Sequence, residues 1–146
     1  MDADYNSFPV KIRVFLAGPI HGFEDRQDYR VVLTDMLEKA GCEVLNPWQR
    51  EKLIYRGDFE TSRLKALVER DLRDIDKCDV FLAYMPTLSA GVCMELFYAK
   101  RSGKKTVAIC EFENPSPWIV VHVDYMFKSI EEFQKSLKHI ITQWKY

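Results

Sequence analysis

The sequence predicts an α/β protein built on a mainly parallel sheet of about five strands, with helices on both faces. Short apolar, β-branched segments alternate with longer segments whose apolar residues recur at helical spacing, from residue 11 to the end of the chain. The first apolar segment has the composition of a buried strand, as expected where helices cover both faces of a sheet.

Short apolar segments mark the strands. Four strands are expected at residues 11–17, 42–45, 79–84 and 106–110, and a fifth at residues 118–121. The first is rich in β-branched and aromatic residues, which favour an extended backbone. Gly18-Pro19 ends the first strand and Asn46-Pro47 ends the second, because such pairs are typical of turns.

Helical spacing of apolar residues predicts four helices. They cover residues 25–40, a segment whose expected cap is Thr61 or Ser62, residues 91–101, and a last segment that follows Ser129. Ser129 and Glu132 form a capping box, which supports the start of the last helix. Residues 46–60 are predicted to form a polar, irregular loop, and a loop of this length usually covers a site.

Length and charge bound the class of protein. The 146 residues are enough for one domain, and we expect a tail over residues 1–10 followed by one domain over residues 11–146. The formal net charge of −1 lacks the basic excess of nucleic-acid binders. No apolar run approaches the ~20 residues of a membrane span. We therefore expect neither nucleic acid nor a membrane as a partner.

Four cysteines and an acidic start indicate the location. Cys42, Cys78, Cys93 and Cys110 form no Cys-x-x-Cys pair and lie in apolar segments, which is typical of reduced core residues. The first six residues are polar and acidic, unlike a signal peptide. We expect a cytoplasmic protein, and the lack of closely spaced ligand pairs predicts no metal or other cofactor.

The ends of two strands are the expected location of a site. In doubly wound parallel sheets, ligands bind beyond the carboxyl ends of the strands where the strand order reverses. Functional residues should therefore follow the first strand, from Gly18 onward, and the third, from Met85 onward. Gly18 lacks a Cβ and lets the backbone approach a ligand, although a plain turn is the commoner reason for such a glycine. Neither a dinucleotide fingerprint nor a P-loop is present.

The segment after the third strand carries the strongest candidate. Gly91 and the small Ser89 before it let a helix begin close to a bound group, where free N–H groups suit an anion or a sugar hydroxyl. Glu95 follows about one turn later among apolar residues such as Met94, so we expect a helix buried nearly all round. A carboxylate there is costly unless it has a function. A first-turn glutamate stabilised by the helix dipole is the alternative.

Further candidates lie near the same edge. Asp71 directly precedes a residue of the apolar stripe of its helix, and it is the expected partner of Glu95. Trp118 follows the fourth strand and suits stacking on a planar base, or packing in the core or a subunit contact. His122 is expected in the core or an interface, and Asp79, at the amino end of its strand, is expected to be structural.

Three segments together resemble the nucleoside 2-deoxyribosyltransferase family, which includes related 2′-deoxynucleoside 5′-monophosphate N-hydrolases. They are Phe15-Leu16-Ala17-Gly18-Pro19-Ile20, Glu69-Arg70-Asp71-Leu72 and Ser89-Ala90-Gly91-Val92-Cys93-Met94-Glu95-Leu96. The resemblance covers roughly residues 11–140. It implies a flavodoxin-like three-layer sandwich and a homo-oligomer, a dimer or larger, in which a neighbouring subunit completes each site.

The resemblance also implies cleavage of the N-glycosidic bond of a 2′-deoxynucleoside. Glu95 matches the nucleophile that forms a glycosyl ester, and Asp71 matches the carboxylate that protonates or orients the base. Retaining transfer needs such a pair of groups. The partners implied are a deoxynucleoside or deoxynucleotide and a free base. The substrate-binding residues implied are Ala17, Gly18, Pro19, Ile20, His21, Ser89, Gly91, Met94 and Trp118.

Ser89 leaves open whether the substrate carries a phosphate. Many transferases of the family carry Asp at this position, six residues before the nucleophile, whereas the monophosphate hydrolases carry Ser, and a hydroxyl tolerates a phosphate that a carboxylate repels. His21 stands where those hydrolases have an arginine. Transfer of the deoxyribosyl group to another base is therefore the leading hypothesis, and hydrolysis of a monophosphate is the alternative. A non-catalytic nucleotide-binding or sensing module is the third.

Overall fold

The computed structural model of the chain describes residues 11–51 and 60–145. Within these residues five strands form one sheet: β1 Arg13–Ala17, β2 Glu43–Leu45, β3 Val80–Met85, β4 Lys105–Cys110 and β5 Tyr125–Phe127. Their order is β2-β1-β3-β4-β5, and every neighbouring pair is parallel.

Helices cover both faces of this sheet. They are α1 Asp28–Lys39, α2 Trp48–Glu51, α3 Thr61–Lys77, α4 Ala90–Arg101, α5 Pro117–Val120 and α6 Ile130–Trp144. Successive side chains of a strand point to opposite faces. Val14 and Leu16 therefore pack in one core with α1 and α6, and Phe15 and Ala17 pack in the other with α3, α4 and α5. This three-layer sandwich with flavodoxin-like strand order confirms the predicted fold.

The starts of two helices test the capping predictions. Ser129 Oγ accepts a hydrogen bond from the N–H of Glu132 at 3.1 Å, as predicted for α6. The predicted cap of α3 is wrong. Thr61 and Ser62 lie inside the helix, and Glu60 precedes it without a side-chain cap.

Two segments differ from the sequence prediction. The strand expected at residues 118–121 is helix α5, because Pro117 occupies its first turn and Ser116 Oγ accepts from the N–H of Trp118 at 3.1 Å. The fifth strand is β5. The expected loop 46–60 contains α2, and residues 52–59, like the expected tail 1–10, lie outside the described residues.

Two further findings concern the state of the cysteines and the length of the helices. Cys42, Cys78 and Cys110 are buried, Cys93 is half-buried, and all four are free thiols. No helix in the described part of the chain combines the length and the apolar character needed to cross a lipid bilayer.

Candidate active site

A cavity of about 1100 Å³ lies at the carboxyl edge of the sheet. Ala17 at the end of β1 lines it, as do residues 88–98, which follow β3. The two strands are neighbours although the chain forms β2 between them, so the strand order reverses at this point. The cavity therefore occupies the place that the strand-order rule predicts, and it is large enough for a drug-sized ligand, whose pockets measure roughly 300–1000 Å³.

Arg30 fixes the end of β1 beside the cavity. Its side chain, on α1, is only 1% exposed. Nη1 donates to the Leu16 carbonyl at 3.0 Å and to Asn46 Oδ1 at 2.9 Å, Nη2 donates to the Gly18 carbonyl at 3.2 Å, and Nε donates to Gln27 Oε1 at 2.6 Å. The guanidinium thereby satisfies carbonyls at the end of the strand, where sheet pairing stops.

Sequence analysis did not single out Arg30, although a signal was present. Arg30, Leu33 and Leu37 follow one another at spacings of three and four residues, so the arginine lies on the apolar stripe of α1. A charged residue on a buried stripe indicates a specific partner.

Gly18 makes room for a side chain of the protein itself. A Cβ at this position would lie 2.1 Å from Tyr29 Oη and 2.6 Å from Tyr29 Cζ. The expectation that the missing Cβ clears space for a ligand is therefore wrong, although Gly18 does line the cavity. Burial raises the pKa of the Tyr29 phenol to about 12, so this packed hydroxyl stays neutral.

Glu95 lines the cavity from the second turn of α4. Burial and then the Asp71 carboxylate raise the pKa of its carboxyl, against the opposing Arg30 guanidinium, to about 8. Contrary to expectation, α4 is not buried all round, because Met94 is 73% exposed and Phe97 is 46% exposed. Its other face packs on the sheet, and Glu95 lies between the two faces, half-buried.

Asp71 lies across the cavity on α3 and is buried. Its Oδ1 accepts from Arg50 Nη2 at 3.1 Å, and Arg50 Nη1 lies 2.9 Å from Asp74 Oδ2. Arg50 thus ties α2 to α3 and places a positive charge beside Asp71. The structure brings Asp71 and Glu95 to one cavity, which is the pairing that the sequence predicts.

Glu51 is a third carboxyl group at the cavity, and sequence analysis missed it. It is 1% exposed, and neither of its oxygens receives a hydrogen bond from a donor in the described residues. Burial, followed by the facing Asp71 carboxyl, raises the pKa of Glu51 to about 10. A signal was available, since Glu51 lies in the loop that follows the second strand. The strand-end rule, applied only to the first and third strands, would have singled out this loop as well.

The residues predicted to bind substrate lie around the cavity, with one exception. Those that line it are Ala17, Gly18, Ile20, His21, Ser89, Gly91, Met94 and Trp118. Pro19 is not among the described lining residues, and its carbonyl accepts from Gln27 Nε2 at 2.9 Å. Ser89 caps α4, its Oγ accepting from the N–H of Val92 at 3.4 Å.

Aromatic rings stand at the mouth of the cavity. Trp118 is 73% exposed, and its ring lies parallel to that of His122 with 6.4 Å between centroids. The His122 ring also lies 5.2 Å from that of Phe97. His122 lines the cavity. It is therefore not the core histidine that the sequence suggested, and the interface reading stays untested.

Carboxyl groups predominate among the acidic and basic side chains that line the cavity. Among the described lining residues, Glu51, Asp71 and Glu95 supply three carboxyl groups, against the single guanidinium of Arg30. Residues 11–51 and 60–145 contain no group of three or more His, Cys, Asp or Glu side chains that could hold a metal ion. A carboxylate beside a second, protonated carboxyl suits nucleophilic attack combined with proton transfer.

Comparison with known proteins identifies the family. A sequence model described as nucleoside 2-deoxyribosyltransferase like matches residues 11–112. A search of curated protein sequences gives no match. The matched segment contains Arg30, Glu51, Asp71 and Glu95, so it spans both sides of the cavity.

Solved structures share the fold. A 2-deoxyribosyltransferase from Bacillus psychrosaccharolyticus is 17% identical with a TM-score of 0.68, over 86% of this chain and 90% of that one. A conserved protein from Enterococcus faecalis V583 is 16% identical with a TM-score of 0.71, over 90% and 99%. The CMP N-glycosidase BcmB of Clostridium botulinum is 25% identical with a TM-score of 0.58, over 87% and 98%.

These findings confirm the predicted enzyme class. The family is named for glycosyl transfer, and two of the similar structures are of a 2-deoxyribosyltransferase and an N-glycosidase. The chain is an enzyme of this class, and it belongs to the nucleoside 2-deoxyribosyltransferase-like family.

Proposed function

We propose that the protein transfers the deoxyribosyl group of a 2′-deoxynucleoside to another base through a covalent ester on Glu95. The observation that carries this proposal is the place of the Glu95 carboxyl, in the cavity at the strand-order reversal and opposite Asp71, in a chain of this family. The carboxylate attacks C1′ as the C1′–N bond breaks. A second base then attacks C1′ and releases Glu95, so that two displacements retain the configuration.

The electrostatics of Glu95 support this role. Its raised pKa means that the empty cavity stabilises the carboxylate poorly. The transition state places positive charge on the sugar ring, directly beside the carboxylate, and supplies the missing partner at the moment of reaction. The attraction is thus stronger in the transition state than in the ground state, which is the condition for catalysis.

The remaining residues take supporting roles. Asp71 orients or protonates the leaving base, and Trp118 at the mouth stacks on it. Ala17, Gly18, Ile20 and His21 form the wall around base and sugar, and Pro19 supports that wall from behind. Ser89, Gly91 and Met94 border the sugar at the start of α4.

The charge of the cavity supports a neutral nucleoside as substrate. The Asp71 carboxylate repels a phosphate, and Glu51 and Glu95, with their raised pKa values, offer it no positive charge. Arg30, the guanidinium among the described lining residues, already donates to four acceptors.

Hydrolysis of a nucleoside monophosphate is the second candidate. It is favoured by Ser89 at the start of α4 and by the 25% identity to a CMP N-glycosidase. Chromatography of the products separates the two functions. Transfer yields a new deoxynucleoside when a second base is present, whereas hydrolysis yields free base and a sugar phosphate and requires the phosphate.

A second copy of the chain is proposed to cover the mouth of the cavity. Apolar side chains that are exposed in the single chain surround it: Val68, Leu88, Met94, Phe97 and Trp118. Sedimentation should show a dimer or larger assembly, and Phe97→Glu should dissociate it. Val32→Glu, at an exposed position of α1, is the matched control. A monomeric wild-type protein would contradict this part of the proposal.

The cytoplasmic location of the protein also stays a prediction.

Trapping the intermediate tests the role of Glu95. A 2-fluoro-2-deoxy nucleoside slows release of the sugar, so mass spectrometry should find one sugar on the peptide that contains Glu95. Glu95→Gln should give no adduct. The proposal is wrong if the wild-type protein gives no adduct and neither exchanges nor releases the base of any common deoxynucleoside.

A further inference from the structure

The proposed reaction leaves one buried group at the cavity without a role. Glu51 ends α2 and is 1% exposed, although a carboxyl group in such a place normally has hydrogen-bond donors around it. In the described residues no donor reaches either oxygen, and Arg50 Nη2 is 3.9 Å from Oε1.

Charged groups on four helices, α1 to α4, act on Glu51. Asp71 on α3 and Glu95 on α4 disfavour a charge on Glu51. Arg50 on α2 and Arg30 on α1 favour one. Both arginines have closer partners, since Arg50 pairs with Asp71 and Asp74 at 3.1 and 2.9 Å, and Arg30 donates to backbone and amide oxygens.

This arrangement is stable only when Glu51 carries a proton. Burial and the Asp71 carboxyl together keep the pKa of Glu51 near 10, well above neutral pH. Two facing carboxyl groups form a hydrogen bond when they share one proton and repel each other when they share none. A purely structural role would be filled better by glutamine or methionine, which need no proton.

We propose that Glu51 and Asp71 form a carboxyl pair that stores one proton and delivers it to the leaving base. The inference rests on the proposed function and names the source of the proton that this function needs. As the C1′–N bond breaks, its electron pair goes to the base nitrogen. Asp71 gives a proton to that nitrogen and takes the proton of Glu51, while a Glu95 oxygen bonds to C1′.

The second half of the reaction restores the pair. An incoming base attacks C1′, the bond to Glu95 breaks, and the electron pair of that bond returns to the carboxylate. The N–H proton of the incoming base passes to Asp71 and from there to Glu51. With water as acceptor, one proton of the water takes the same path. No further reactant is needed in either case. Glu51 does not contact the substrate in this scheme; it holds the proton and passes it through Asp71.

Two substrates that differ in their need for a proton test the inference. Adenine leaves 2′-deoxyadenosine only when it is protonated, whereas the base of N7-methyl-2′-deoxyguanosine already carries a positive charge. Glu51→Gln should slow the first substrate by about 100-fold or more and the second by less than about threefold. Glu131→Gln, exposed on α6, is the matched control and should change neither rate.

Infrared spectroscopy supplies a readout that does not depend on turnover. The wild-type protein at pH 9, where Glu95 is ionised and Glu51 still carries its proton, should show the C=O band of a buried protonated carboxyl, and Glu51→Gln should lack it while Glu131→Gln keeps it. Glu51→Met, of similar volume, replaces the glutamine variant if that variant fails to fold by circular dichroism.

The outcomes separate the two proposals. Equal losses on both substrates, no loss on 2′-deoxyadenosine, or an unchanged infrared band would overturn the role of Glu51 and leave that of Glu95 intact. A wild-type protein that acts on neither of these substrates nor on any other common deoxynucleoside overturns the proposed function and the proton delivery together.

Discussion

Acidic side chains at the two ends of the sheet differ in whether hydrogen-bond donors surround them. At the amino end, Asp79 Oδ2 accepts from the backbone N–H of Arg13 at 2.8 Å. Asp124 accepts from the N–H of Thr106 at 2.8 Å and from Lys100 Nζ at 2.6 Å. Burial of Asp124 acts to raise its pKa, but the hydrogen bonds from Lys100 and Thr106 outweigh it and lower the pKa.

At the carboxyl end the balance is reversed. Glu51 and Glu95 are desolvated, each feels the charge of Asp71, and their pKa values rise to about 10 and about 8. The native fold gives hydrogen-bond donors to the carboxylates at the amino end, whereas Glu51 and Glu95 at the carboxyl end are desolvated beside another carboxyl group. The difference indicates that the amino end serves stability, whereas the carboxyl end is built for a bound molecule at a cost in stability.

The largest effect should come from removing Glu95. Glu95→Gln should lower base exchange by about 10⁴-fold or more, because the amide cannot replace the carboxylate that is proposed to attack C1′. Asp79→Asn, the matching change at the amino end, should leave exchange intact and lower the melting temperature. Chromatographic assays and thermal melts of both variants check this, and substantial exchange by Glu95→Gln would remove the contrast between the ends.

The same substitution should raise stability at alkaline pH. The unfolded Glu95 carboxyl ionises near its ordinary pKa of 4.5, whereas the folded one keeps its proton to about 8. The folded state therefore binds more protons in this window and loses stability as the pH rises through it. Glu95→Gln removes that loss, so its melting temperature relative to wild type should be higher at pH 8 than at pH 4.

The pH dependence of activity gives the next largest effect. The ionised form of Glu95 is the proposed nucleophile, so kcat/KM should rise by about tenfold per pH unit below pH 8 and level off above it. Rates with 2′-deoxyadenosine between pH 5 and 9 measure this. A flat profile would mean that the carboxylate is already ionised in the free enzyme.

Two glycines at the carboxyl end should respond differently to alanine. Gly18→Ala places a Cβ 2.1 Å from Tyr29 Oη and should cost about 1–3 kcal/mol of stability. Gly91→Ala meets nothing within 4 Å and lies inside α4, so it should gain up to about 1 kcal/mol. Denaturant unfolding of both variants measures the difference. Equal effects would show that Tyr29 moves aside freely.

The smallest effect is expected at Asp124. Its lowered pKa contributes stability above its unfolded pKa, and this contribution is lost as the pH falls through the folded value. Asp124→Asn should therefore melt slightly below wild type at pH 7 and together with it near pH 3. The difference should shrink in high salt, because the Lys100 pair is partly exposed.

Sequence patterns were sufficient for most of the architecture. The buried strands are short continuous apolar segments, and the apolar residues of the helices recur at a period of 3.6 residues, so four strands, four helices and the parallel sheet were predictable. The fifth strand was not, because the β-branched residues Ile119 to Val121 resemble a strand. There the local effects of Ser116 and Pro117 prevail and form a helix.

The sequence by itself determined the fold, the family resemblance and the expectation that Glu95 and Asp71 share one site, because these follow from local periodicity and motif spacing. Only the tertiary structure placed Glu51 and Arg30 at the cavity and assigned the space beside Gly18 to Tyr29. Burial and charge–charge interactions depend on which elements meet in space, and segments far apart along the chain bring these groups together.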